Sequence, residues 1–309
     1  MFLNKIEYRA LLIGAFLSIV SCQSDKDNNA SEKNKSSQVA IATKPAQALS
    51  DAFKGYWYGG KAEITSYALQ QSRYGEVREG TAVLVYVTED FLPDAQVKAD
   101  NAASDNIGVL KLNATKNFNT GIYPYHIMQS TFFPVANNQH ALKVSVSVQE
   151  WCGQVYAQIN NRTQFEVQSH SYFQSEADET FNLNKTYLEN ELWVQLRINP
   201  KSLPVDDIEV VPSLEYLRLK HQNIKAYKAT AALSDSTYTL TYPDLNRILT
   251  IEFNAEFPYS IRQWEETYPD GRNGELMTTT AVQLKTITEP YWQQNRNEDG
   301  YLRDQLSLD

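Results

Sequence analysis

Between residues 142 and 149 apolar and polar side chains alternate without a break. Leu142, Val144, Val146 and Val148 are interleaved with Lys143, Ser145, Ser147 and Gln149. A two-residue period belongs to a β-strand with one face in a core and the other in water. Strand-length runs recur along most of the chain. Residues 62–71 and 81–88 flank Arg73-Tyr74-Gly75-Glu76, a polar turn that predicts a hairpin. Residues 81–87 are apolar on both faces and predict a strand covered on both sides. Residues 109–113, 122–133 (interrupted by Pro124), 154–159 and 164–173 follow, the last pair turning at Asn160-Asn161. A polar stretch at 93–104 reads as a loop. Further runs occupy 208–219, 224–233, 237–242, 247–253, 259–268 and 276–288. The last two are joined by Pro269-Asp270-Gly271-Arg272-Asn273-Gly274, which is rich in turn residues. No connection among these later runs has room for a crossover helix, so neighbours should pair antiparallel.

Helical signal is scarce. In 186–198, Leu188, Leu192 and Leu196 share one helix face with Trp193 beside them. Asn184 or Thr186 would cap its start, Glu189 and Glu191 lie in the first turns, and Pro200 stops it. A weaker helix starts near Pro290. The expected fold is mainly β: an antiparallel, curved sheet or open barrel packed around one helix. The alternative is two β halves divided near 175–205.

The N-terminus has the three parts of a secretory signal over residues 1–21. Lys5 and Arg9 give a basic start, and residues 10–20 form an apolar run too short for a bilayer core, which needs about 20 residues. Ile19-Val20-Ser21-Cys22 resembles the bacterial lipobox, in which the cysteine is acylated and becomes the new N-terminus. Several acyl chains, at about 0.8 kcal/mol per buried methylene, hold a protein to a membrane where one chain does not. Residues 22–50 are the expected lipidated cysteine and tether. From Gln23 on they are rich in Ser, Asn, Lys, Gln and Ala, and poor in large aliphatic residues. The globular body is expected over 51–309, in the cell envelope, anchored to the outer membrane through Cys22 and facing the periplasm or the surface.

Losing Lys5, Arg9 and Glu7 with the signal leaves 26 basic and 36 acidic side chains, a net charge of −10. An acidic body without basic clusters offers nucleic acid no electrostatic footing. Cys152 is the one cysteine beyond Cys22, so the mature body has no internal disulfide to form.

No H-E-x-x-H, C-x-x-C, G-x-S-x-G, P-loop or G-x-G-x-x-G pattern occurs, and no cofactor is expected. His126, His140, His170 and His221 are widely separated. The leading candidate site is Glu150-Trp151-Cys152-Gly153. If the alternation through Val148 continues, Glu150 and Cys152 point to the core and Trp151 to the wet face, against their burial preferences. Either a bulge resets the phase, with Trp151 and Cys152 packed in the core, or Glu150 is buried against a basic group. A reactive Cys152 thiolate would need a base, for which His170 is the candidate. Glu176, Asp178 and Glu179 form an acidic run with the oxygen ligands calcium takes. Tyr56-Trp57-Tyr58, Tyr123-Pro124-Tyr125 and Tyr291-Trp292 are aromatic clusters suited to apolar or sugar contacts, and also simply to sheets.

The chain resembles a group of exported bacterial lipoproteins often labelled "septum formation inhibitor Maf". The resemblance rests on residues 55–58, 63–67, 73–80, 110–116 and 149–153 and spans most of the body. The chain lacks the N-terminal Ser/Arg signature of the cytoplasmic Maf nucleotide pyrophosphatases. The resemblance therefore implies a lipoprotein with a globular β body and no site residue beyond Cys22. The resulting expectation is a non-enzymatic binding or carrier module for a lipid, a glycan or another envelope protein. The alternatives are a hydrolase of envelope polymers using carboxylates such as Glu63, Glu150 or Glu176, and an assembly partner of an outer-membrane complex.

Overall fold

The computed structural model describes residues 45–308. The proposed signal, Cys22 and most of the tether lie outside the described residues. Ordered contacts begin before residue 51: the Gln47 amide donates to the Ala136 carbonyl at 2.8 Å, and Leu49 packs on the core. Ser50 caps a short helix, α1 (Asp51–Trp57), by accepting from the Phe53 amide.

Strands then follow one another: β1 (Ala62–Arg73), β2 (Glu76–Leu92), β3 (Val97–Lys98), β4 (Ile107–Thr120), β5 (Tyr123–Pro134), β6 (Lys143–Glu150), β7 (Gly153–Asn161), β8 (Phe165–Ser171) and β9 (Asp178–Leu183). After β10 (Tyr187–Leu188) come the helix α2 (Glu189–Ile198), β11 (Asp206–Val211) and a second short helix, α3 (Leu214–Leu219). The chain continues through β12 (Tyr227–Leu233), β13 (Thr237–Tyr242), β14 (Arg247–Phe253), β15 (Ile261–Asp270) and β16 (Glu275–Glu289), and ends on α4 (Tyr301–Gln305).

All sixteen strands of the described residues belong to one sheet, in the order β10 to β16, β1, β2, β4 to β9, with β3 beside β2. The two-halves alternative is therefore corrected. β1 and β16 pair from Ala62↔Glu289 to Gln70↔Thr280, and this seam joins early and late strands into a single wall. The sheet is curved and unclosed. Its two end strands, β9 and β10, are linked by residues 184–186 alone, so the link spans at most about 14 Å.

The expected hairpins form, including β1–β2 with Arg73↔Glu76 as its last pair. Tyr74 and Gly75 both have positive φ (+60° and +78°), as a tight two-residue turn demands. Gly75 lies against Gly271 of the β15–β16 turn, where an added Cβ would stand 2.8 Å from the Gly75 Cα. The alternation of 142–148 holds: Val144, Val146 and Val148 are buried, and their polar neighbours are not. The strand expected to be covered on both faces is so covered. Ala82, Leu84 and Tyr86 face inward, while Val83, Val85 and Val87 pack with Leu306 and Leu308 of the C-terminal segment.

Two expectations fail for local reasons. The run at 208–219 is not one strand. Pro212 interrupts it, Ser213 caps α3 by accepting from the Tyr216 amide, and the chain turns inward. The helix expected over 186–198 begins at Glu189, because Tyr187 and Leu188 pair in parallel with Val210 and Val211. α2 is thus the crossover between two parallel strands, and it runs through the interior. Every residue of α2 except half-buried Trp193 is buried, including Glu189, Asn190, Glu191, Gln195 and Arg197. A helix with a leucine stripe normally turns its polar side to water. Here the polar side meets the far wall.

Candidate functional site

Burying that polar side requires a partner for each group. Arg197 makes a bidentate pair with Glu63 of β1 at 2.7 and 2.7 Å, donates through Nε to the Pro258 carbonyl, and lies over the rings of Tyr86 and Trp57. Tyr56 of α1 donates to the same Glu63 carboxylate. Glu189 takes a bidentate pair from Arg247 of β14 (2.5 and 2.7 Å) and a hydrogen bond from Tyr242. Arg247 uses Nε to reach Glu266 of β15 at 2.6 Å. Glu191 caps its own helix at the Leu188 amide and accepts from the Ala141 amide and His140. Asn190 donates to Gln129, which itself donates to Glu215 of α3, and Lys116 of β4 completes that cluster at 2.7 Å from Glu215.

The surroundings set the charge states. Burial pushes the Glu63 carboxyl up, but the charge of Arg197 and the hydrogen bonds from Arg197 and Tyr56 outweigh it and hold it below the usual range. Burial likewise opposes Asp270, which Lys220, the Gly75 amide and Ser72 hold down. Glu215 behaves oppositely. Its burial outweighs the attraction of Lys116, and the carboxyl is raised despite the 2.7 Å contact. For depressed carboxyls the stabilisation is complete above the unfolded value of about 4 and lost as the pH falls through the lower folded value.

A cavity lies between α2 and the wall. It measures about 50 Å³ over the positions a water centre can take. One water needs roughly 10–15 Å³ on this measure, so there is room for a few waters or a compact ligand, and none for an acyl chain. Lys116, Gln129, Asn190 and Glu215 line one part of it, and Glu189, Arg247 and Glu266 another. Trp193 and Trp264 also line it, packed edge to face at 5.3 Å between ring centres.

The site expected at Glu150 to Gly153 is a hairpin turn. Glu150 pairs with Gly153 across it, and both Trp151 (68% exposed) and Cys152 project outward. Among the described residues there is neither a phase-resetting bulge with a packed Trp151 nor a basic partner for Glu150. Glu150 instead accepts from the Cys152 amide at 2.6 Å and from the Tyr172 hydroxyl at 3.0 Å. The hydrogen bond and negative charge of Glu150 push the Cys152 thiol up, away from a thiolate. His170 is exposed and faces Asp178 at 3.4 Å.

The acidic run does not gather into a cation site. Glu176 accepts from Ser171 and His221, and among the described residues no three of His, Cys, Asp and Glu are grouped to hold a metal. The carboxylates considered for hydrolysis are dispersed too: Glu63 sits in its ion pair, Glu150 in its turn, and Glu176 beside His221.

The residues that do line the interior carry a signal of their own in the sequence. Lys116 shares the phase of buried Leu112 and Phe118, Arg247 that of Leu249 and Ile251, and Glu266 that of Trp264 and Tyr268. A charge in the core phase of a strand marks a buried partner elsewhere.

No protein-family profile matches the chain, and no curated protein matches it in sequence. Among solved structures it is similar to a beta-barrel-like protein of a domain of unknown function, DUF1849, from Brucella abortus, at 10% identity and a TM-score of 0.44. That match covers 74% of this chain and 97% of the other. A porin-like protein from Bacteroides uniformis matches at 8% identity and a TM-score of 0.20, covering 73% of this chain and 96% of that one.

Proposed function

We propose that the protein is a lipid-anchored envelope module that binds a glycan by seating part of one sugar unit in the cavity of its open barrel, and performs no chemistry on it. The observation that carries this reading is the interior cavity beside α2. It combines two tryptophans with amide and charged groups, the mixture that stacks on and hydrogen-bonds to a sugar ring. A carrier for lipid chains would need a dry, continuous apolar channel, whereas this interior is crossed by Arg197–Glu63 and Arg247–Glu189. Catalysis by Glu63 is disfavoured for the same reason, since a carboxylate locked by a guanidinium is neither acid nor base at neutral pH.

Calorimetry of the full-length protein against N-acetylglucosamine, glucose and palmitate tests the ligand class. Saturable heat with a sugar, lost in Trp193→Ala at unchanged circular dichroism, is the expected result. Stoichiometric palmitate binding with no response to either sugar would sink it. The anchor has its own test. Cys22→Ser is expected to leave an uncleaved precursor or to release the body from the membrane fraction, and normal cleavage with unchanged fractionation refutes lipidation.

A further inference from the structure

The side chains around the cavity beside α2 are not equally satisfied. Arg247 gives its terminal nitrogens to the two oxygens of Glu189 and its Nε to Oε1 of Glu266. Tyr242 also donates to Glu189. Lys116 and Gln129 take one oxygen each of Glu215. Glu266 is the exception: its Oε2 has no hydrogen-bond partner among the described residues. That oxygen is within reach of a ligand. Glu266 is only 7% exposed, yet Oε2 keeps accessible surface, unlike the sealed Nε1 of Trp57. Residue 266 shares the inward phase of Trp264 and Tyr268, so this surface opens into the cavity that Glu266 lines.

The balance of charge points the same way. Glu189, Glu215 and Glu266 line the cavity with only two cations, Lys116 and Arg247, which leaves one negative charge in excess. Lys116 matches Glu215, while Arg247 serves both Glu189 and Glu266. The uncompensated charge therefore belongs to the Glu189–Arg247–Glu266 group, where Oε2 is the unspent acceptor. A buried carboxylate needs both a donor and a countercharge, and an ammonium group supplies the two together. The indole rings of Trp193 and Trp264 line the same cavity, and aromatic rings attract cations as well as the apolar face of a sugar.

Resting on the sugar reading above, we propose that the unit seated in this cavity is a cationic amino sugar, a hexosamine with a free amine whose ammonium donates to Glu266 Oε2. The cavity's size suits this group. About 50 Å³ over water centres admits an ammonium with the ring atoms beside it. A hydroxyl in the same place donates to Oε2 but leaves the charge uncompensated. An acetylated amine also lacks the charge, and it adds an acyl group to a confined space. The sign of the unspent charge thus selects the free amine over both.

The test is calorimetry of the full-length protein at pH 7 and constant ionic strength with glucosamine, glucose, N-acetylglucosamine and cyclohexylamine. Glucosamine is expected to bind tightest, with glucose and N-acetylglucosamine weaker by about tenfold or more, the effect of losing one charge-assisted contact. Cyclohexylamine, which carries the charge without the hydroxyls, is expected to be weaker than glucosamine as well. Glu266→Gln keeps an acceptor for Arg247 Nε and removes the charge, so the preference for glucosamine over glucose is expected to vanish. If circular dichroism shows that this variant has not folded, the wild-type ligand series decides alone. Glucose or N-acetylglucosamine binding as tightly as glucosamine overturns the amino-sugar proposal and leaves the sugar reading standing. Cyclohexylamine binding as tightly as glucosamine, or a preference that survives Glu266→Gln, also overturns it. No heat with any of the three sugars overturns both.

Discussion

Arg197→Met is expected to lower the unfolding free energy by about 3–5 kcal/mol, because it strands a buried carboxylate rather than merely deleting a contact. Glu63 would keep only the Tyr56 hydroxyl as a hydrogen-bond partner, deep between α1, β1 and α2. The methionine fills much of the arginine's space but gives no charge, and the stacking on Tyr86 and Trp57 is weakened. For a body of this size the loss corresponds to a fall in melting temperature of roughly 6–20 °C, at 2–4 °C per kcal/mol. The double variant Glu63→Leu/Arg197→Met is expected to recover most of it, since replacing both ions by apolar groups removes the desolvation cost with the attraction. Urea unfolding of the wild type, both single variants and the double variant gives the coupling directly. A double variant no more stable than Arg197→Met would show that the arginine acts through its stacking and its bond to Pro258.

Arg247→Met is the second large effect, and its signature is a reversal of pH dependence. Arg247 holds Glu189 and Glu266 together on one guanidinium, over the rings of Tyr216 and Tyr242. Without it two buried carboxylates are left together with no guanidinium between them, an arrangement that burial and like charge make costly while both are ionised. Raised carboxyls stabilise the fold most below the unfolded pKa, and that stabilisation disappears as the pH climbs through the folded value. The variant should lose about 3–5 kcal/mol at pH 7 and regain part of it as the pH is lowered toward 5. Depressed groups such as Glu63 make the wild type change little over that range or lose stability at its acid end. Urea midpoints measured at pH 5, 6 and 7 decide the matter; a variant that weakens in parallel with the wild type on acidification refutes the mechanism.

Both effects bear on what the interior is for. An ion pair exchanged for well-packed apolar side chains is often neutral or favourable, so these pairs are poor explanations of stability alone. They fix the position of α2 against three separate parts of the wall: β1 through Glu63, β14 through Arg247, and the residues before β6 through Ala141 and His140. A helix so held keeps Trp193 and Asn190 fixed beside the cavity, as a preformed binding site requires.

Much of the fold was legible along the chain because strand signals are local. β13 and β14 fall on the runs expected for them, 237–242 and 247–253, where alternating apolar residues are bounded by turn residues. The tight β1–β2 turn was readable from Tyr74-Gly75 for the same reason. The candidate site was less legible. Glu150, Trp151, Cys152 and His170 are candidates by residue type alone, and the structure places them on an exposed turn and a nearby strand. The lining residues come from β2, β4, β5, β14 and β15 and from both inner helices. Their convergence depends on pairings between strands up to some two hundred positions apart, such as Leu69 with Ala281.

The amino-acid sequence by itself determined the strand content, the hairpin turns and one internal helix. Each is decided within a dozen residues by backbone preference, turn geometry or side-chain period. Tertiary structure alone decided that early and late strands join at the β1–β16 seam, and that α2 buries its polar side as well as its leucines. The physical reason is the same in both cases. A buried charge or an unpaired strand edge states a need for a partner, but only the assembled, curved wall brings Arg247 to Glu189 and Glu63 to Arg197.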